Sequence, residues 1–117
     1  MSDVADILRN ARERITDPRH FICGDPSLQA VNDQGHECLP GDPDAVRWTA
    51  RGAVMVEEGH TSNALRALDR AASTVGDEAD GRAEDWWAAC HFRLCCQPHD
   101  VTLRIYDRAI AALEARR

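Results

Sequence analysis

Residues 86 to 99, Trp-Trp-Ala-Ala-Cys-His-Phe-Arg-Leu-Cys-Cys-Gln-Pro-His, hold three of the chain's five cysteines, two of its five histidines and two of its three tryptophans. Thiolate and imidazole are the ligands of structural zinc, which takes a tetrahedral set. On a helix His91 and Cys95 stand at i and i+4 and share a face, while Cys96 and His99 can bind from its end. His36 and Cys38, from the run His36-Glu37-Cys38, or Cys23, can complete the set from a loop. Against zinc, the segment has no Cys-x-x-Cys, and the spacing of Cys90, Cys95, Cys96 and His99 corresponds to no standard zinc module. Reduced, buried thiols are the competing expectation, because free cysteine is among the most buried residue types. The same residues offer nucleophilic chemistry, with His91 as base to Cys95 and Asp100 nearby in sequence to orient it.

A third use of the segment is recognition. Adjacent helical positions are about 100° apart, so Trp86 and Trp87 cannot share a face. Trp86 lies one and two i, i+4 steps before Cys90 and Leu94 and is expected in the core. Trp87, beside His91, is expected at the flank, partly exposed and available to a partner. No nucleophile elbow, phosphate loop, His-Glu-x-x-His or dinucleotide fingerprint occurs. His20 and His60 fall in loop or cap contexts and are expected to be solvated.

Composition narrows the partners. A net charge of −6 opposes binding to nucleic-acid backbones or anionic membranes, which calls for a concentrated cationic face. All 14 basic residues are arginine and 18 residues are alanine, as a GC-rich genome would write them. No apolar run approaches the roughly 20 residues that span a bilayer. The start, Met1-Ser2-Asp3, is polar and lacks the pattern of an export signal, so a soluble cytoplasmic protein is expected. An odd count of five cysteines cannot form a complete set of disulfides, which fits reduced thiols.

The elements that must position these groups are mostly helices. Val4, Leu8, Ala11 and Ile15 recur at 4, 3 and 4, with Ile7 beside them, and the helix they mark ends at Thr16-Asp17-Pro18. Asp42-Pro43 carries an N-cap carboxylate followed by proline at the first helical position. A second helix is expected from there to about Glu58-Gly59, with Val46, Ala50, Ala53 and Val54 inward. Thr61 caps a third, with Leu65, Leu68, Ala72 and Val75 on one face and Gly76 as its stop, followed by a polar linker from Asp77 to Gly81. A fourth would carry the Trp/Cys/His segment to Gln97-Pro98. The last is expected from about Pro98 to Glu114, burying Thr102, Ile105, Tyr106, Ala109, Ile110 and Leu113 and leaving Arg104, Arg108, Arg116 and Arg117 to water.

Residues 17 to 41 lack any 3.6 period, and so long a structureless loop is uncommon in a compact domain. Short extended pieces are therefore expected at His20 to Cys23 and in a hairpin of Leu28 to Val31 against His36 to Leu39, turning at Asn32-Asp33-Gln34-Gly35. The predicted fold is a single mainly α domain, a compact bundle of four to five helices with a long loop or short β-hairpin between the first two.

The run Asp42-Pro43-Asp44-Ala45-Val46-Arg47-Trp48-Thr49-Ala50-Arg51-Gly52-Ala53, with Asp107-Arg108-Ala109-Ile110 near the end, resembles an uncharacterised family of short helical proteins, a domain of unknown function. That family has an extended segment before a Trp-Cys-Ala-x-Gly-Ala helix and closes with an Asp-x-Ala-Ile helix. Here Thr49 replaces the usual cysteine, and Phe92-Arg93 an Asn-Asp pair. The resemblance implies a fold and no activity. Gly52 in a helix costs about 1 kcal/mol relative to alanine, tolerable where another backbone packs closely. Trp48, on the same side, would wall a groove.

The expected function is that of a small non-enzymatic helical protein, regulatory or adaptor, which binds another protein through Trp48, Trp87 and His91. Alternatives are a zinc-stabilised binding module using His36, Cys38, His91, Cys95, Cys96 and His99, and a thiol-dependent enzyme. Zinc is the one cofactor to weigh. The alanine-faced helix over 64 to 72 also suggests a homodimer.

Overall fold

A computed structural model describes residues 4–23, 28–58, 63–80 and 97–116, with the side chains of 58 and 76–80 outside the description. Helix α1, Val4–Arg14, buries Ala5, Leu8 and Ala11, and Ile15 continues the same stripe just past its end. A single 3-10 turn follows at Pro18–His20, capped by the Asp17 carboxylate, which accepts the Arg19 backbone N–H at 2.9 Å. Phe21 then bridges to Trp48 in parallel, so the expected extended piece at His20 to Cys23 begins one residue later.

The hairpin is present. Strand β1, Ala30–Asn32, pairs antiparallel with β2, Glu37–Cys38, with Ala30 opposite Cys38 and Val31 opposite Glu37. Gly35 takes the turn at φ +80°, and the Asn32 side-chain oxygen accepts from the N–H groups of Gln34 and His36 at 3.0 and 2.9 Å.

A third strand was not expected. Strand β3, Ala45–Trp48, joins the other side of β1 to make a three-stranded antiparallel sheet in the order β2-β1-β3. Residues 42 to 48 are therefore not the start of the second helix. Asp42 does cap, but what it caps is a turn: its carboxylate accepts the Asp44 N–H at 2.9 Å and its carbonyl the Ala45 N–H at 3.0 Å. Val46 then falls at an irregularity in the pairing opposite Val31/Asn32 and is 38% exposed rather than part of a buried face.

Helix α2, Ala50–Glu58, starts instead directly after Thr49. The Thr49 hydroxyl oxygen accepts the Gly52 N–H at 3.0 Å, an N-cap bond to the third helical residue. Helix α3, Asn63–Asp80, runs through Gly76 and takes in Asp77 to Asp80, so Gly76 does not end it and the linker does not start there. Glycine only weakens a helix interior, and its αL freedom goes unused when the chain continues in αR. Helix α4, His99–Ala115, buries Thr102, Ile105, Tyr106 and Ala109, with Ile110 and Leu113 only partly covered. The expected helix through Trp86, Trp87, Cys90 and Leu94 lies outside the described residues.

The core sits where α1 packs on α2 and α4, and α3 on α4. Leu8, Ile15, Val54, Leu68, Ile105 and Tyr106 are wholly buried there, spaced by small alanines that let the helices approach. Ala64, Ala71 and Ala72 of α3 belong to this core. Among the described residues no helix is long and apolar enough to cross a membrane.

Candidate functional site

Trp48 closes β3 at the point where sheet, 3-10 turn and α1 meet. Its indole N–H donates to the Pro40 carbonyl oxygen at 3.0 Å, which fixes the ring on the loop after β2. The Arg14 guanidinium lies over the ring, 5.0 Å from its centroid, within cation–π range. Arg14 is fixed in turn by Glu57 of α2, which accepts from it at 2.8 Å. The Arg14 Nε is buried with no hydrogen-bond acceptor.

Trp48 and Arg14 border an open depression of about 400 Å³, with Glu13, His20, Ala45 and Val46 as the other walls. A second depression, about 360 Å³, lies across Arg14 and is lined by Asn10, Glu13, Arg14 and Glu57. Val46, 38% exposed, and Leu39, 73% exposed and next to the Pro40 that holds the indole, are the large apolar side chains left to solvent among the described residues. Arginine over tryptophan with apolar neighbours can bury area and desolvate a cation without first ordering flexible groups. Trp48 borders this depression from a strand, not from the helix of Gly52 that was expected to share its side. Arg14 and Glu57 had no signal at positions far apart in the chain.

Among the described residues, the other expected site residues do not gather in one place. His36 is exposed, beside the hairpin turn, and Cys38 is half-buried in β2. Partial burial, with the Asp42 and Asp44 carboxylates adding to it, holds the Cys38 thiol above its ordinary pKa, which disfavours the thiolate that zinc or a nucleophile needs. Cys23 is an exposed thiol. His99 is engaged elsewhere: its Nε2 lies 2.7 Å from the Ile15 carbonyl oxygen, and its ring packs on Phe21 with centroids 5.2 Å apart. A carbonyl only accepts, so Nε2 carries a proton and is not a ligand lone pair while that bond stands. Among the described residues no three His, Cys, Asp or Glu side chains cluster as a metal site would require. Trp87, His91, Cys95 and Cys96 lie outside the described residues.

No family model matches this chain, and neither a curated protein nor a solved structure matches it. The chain's own residues are left to carry the function.

Proposed function

We propose that the protein is a small non-enzymatic binding protein of the cytoplasm, an adaptor or regulator that grips another protein at the Trp48 surface. The observation that carries this reading is the Arg14–Trp48 stack, held from below by Glu57 and Pro40 and bordered by exposed Val46. Tryptophan and arginine are the residues most enriched where interfaces concentrate their energy. Both are already fixed here, so little rotamer entropy is left to lose on binding.

The test uses affinity capture from the native host with the wild-type chain, Val46→Asp and a remote surface variant, Arg104→Gln. Val46 is exposed at a strand irregularity, so its substitution leaves the core intact. A partner retained by the wild type and Arg104→Gln but reduced about tenfold or more by Val46→Asp is the expected result, equal to about 1.4 kcal/mol or more. The same proteins retained equally by all three would refute the Trp48 surface.

A further inference from the structure

The Trp48 depression is walled by the end of α1 with Glu13 and Arg14, by the 3-10 turn with His20, and by β3 with Ala45, Val46 and Trp48. The turn and the strand are tied directly. The Ile22 N–H donates to the Trp48 carbonyl oxygen at 3.1 Å, and Phe21 bridges to Trp48, so the chain leaving the turn runs beside β3. From α1 the chain reaches them through the short run between Ile15 and Phe21.

That run is held at both ends by one side chain from α4. His99 donates through Nε2 to the carbonyl of Ile15, the residue after Arg14, at 2.7 Å. Its ring packs on Phe21, the residue after His20, with centroids 5.2 Å apart. Between these ends the run is braced by its own bonds: His20 N–H to the Asp17 carbonyl at 2.9 Å, Phe21 N–H to the Pro18 carbonyl at 3.3 Å, and Arg19 N–H to the Asp17 carboxylate at 2.9 Å. A braced run gripped at both ends moves as one piece with whatever grips it. Glu57 fixes the Arg14 guanidinium, and His99 fixes the backbone that carries it.

We infer that His99 is a positioning residue of the Trp48 surface: its imidazole keeps the Arg14 wall and the His20 wall in register with the indole, although it does not line the depression itself. Without it, the two walls are joined by backbone alone, and Arg14 leaves the indole face for part of the time. Binding then has to order that arginine again, which weakens it. Because His99 opens α4, the position of that helix's first turn is read at the Trp48 surface. Only the effect on partner capture rests on that surface being the binding site.

The test follows the Arg14 Nε–H resonance in the nitrogen-15-labelled full chain, assigned by its loss in Arg14→Lys. The atom is buried, which slows its exchange with water, and the indole ring current displaces it from the position of arginines in the unfolded chain. His99→Leu should move the resonance about half or more of the way back to that position, as an average over stacked and free populations. His99→Gln keeps a donor and should restore much of the displacement. Val75→Ala, in the core on α3, is the destabilised control and should leave the resonance where it is. Should His99→Leu lose its helical circular dichroism, Phe21→Leu replaces it, with a smaller shift in the same direction. A resonance as displaced in His99→Leu as in the wild type, or moved as far by Val75→Ala, would overturn the positioning role. Affinity capture supplies the second readout: His99→Leu should retain severalfold less of the partner that Val46→Asp loses, and equal retention by His99→Leu and the wild type also overturns the role. If Val46→Asp loses no partner, the Trp48 surface fails as a binding site, and the Arg14 resonance still decides the role of His99.

Discussion

Gly52 of α2 lies against the backbone of Gln29, so close that a Cβ at Gly52 would fall 1.9 Å from the Gln29 carbonyl oxygen and 2.8 Å from its carbon. Glycine is what lets α2 start flush against the residue that leads into β1. Replacing a helical glycine by alanine ordinarily stabilises by about 1 kcal/mol, but here the backbone contact must open, at a cost of typically 1–3 kcal/mol and at times more. Gly52→Ala is therefore expected to lower stability by about 1–3 kcal/mol, with the urea midpoint falling at an unchanged m value. Gly41→Ala is the control: nothing lies within 4 Å of its Cβ and its φ is not positive, so it should be neutral or slightly stabilising. Equal midpoints for the two variants would mean that α2 and Gln29 are not in contact.

Thr49 organises the same junction. Buried at 2% exposure, it accepts the Gly52 N–H on its hydroxyl oxygen, while its own N–H and O–H both donate to the Gln29 carbonyl, at 3.0 and 3.3 Å. Thr49→Val keeps the shape and removes the cap, and a loss of about 1–2 kcal/mol is expected. Thr49→Ser keeps the hydroxyl and should retain most of the wild-type stability. Thermal melts of the two distinguish a lost bond from lost packing, since a loss in Thr49→Ser as large as in Thr49→Val would assign the effect to the methyl group.

This junction also explains what could be read from the sequence. The hairpin was legible because its turn is local chemistry: Asn32 bonds two N–H groups within four residues, and Gly35 supplies the positive φ. The terminal helix and α1 were legible from their periods, and Leu8, Ala11, Ile105 and Tyr106 are buried accordingly, whereas Val4 and Ile7 are only partly covered. Strand β3 was not, because Asp42-Pro43 opens a turn with the same carboxylate-to-N–H bond that opens a helix. The choice between them is made by β1, a long-range partner that pairs Ala30 with Trp48. The site was legible only in part for the same reason. Trp48 stands out as a rare residue, whereas Arg14 and Glu57 become part of its surface only when α1 and α2 pack together.

Tyr106 predicts how the fold responds to alkali. Its hydroxyl donates to the Ala50 carbonyl at 2.5 Å from a wholly buried position, and burial raises its pKa far above the ordinary value. The unfolded phenol titrates near about pH 10. A folded pKa above the unfolded one means that the fold favours the neutral phenol, so this stability is fully present below about pH 10 and is lost as pH rises through and beyond it. Tyr106 is the chain's one tyrosine, so tyrosinate absorbance reports it alone. Absorbance is expected to appear together with loss of helical circular dichroism, not before it. Tyr106→Phe should lower stability at pH 7 by about 1 kcal/mol and weaken the alkaline dependence. Reversible tyrosinate formation near pH 10 in the intact fold would show the hydroxyl to be solvated.

His99 closes the fold from the far end of the sequence. The Ile15 carbonyl lies just past α1, among the carbonyls that a helix end leaves without an intrahelical partner. His99, 84 residues later at the first position of α4, donates to it through Nε2, and Phe21 packs on the ring. One side chain thus caps α1 and fixes the start of α4, in the orientation that a helix C-terminus favours for a donor. His99→Leu preserves bulk against Phe21 but leaves the carbonyl uncapped, and should cost about 1–2 kcal/mol. His99→Gln keeps an amide donor and should recover part of that loss. A double-mutant cycle with Phe21→Leu should give a coupling of about 0.5–1.5 kcal/mol for the ring pair. If His99→Leu unfolds at the wild-type urea midpoint, the Ile15 bond contributes nothing to the stability of the fold.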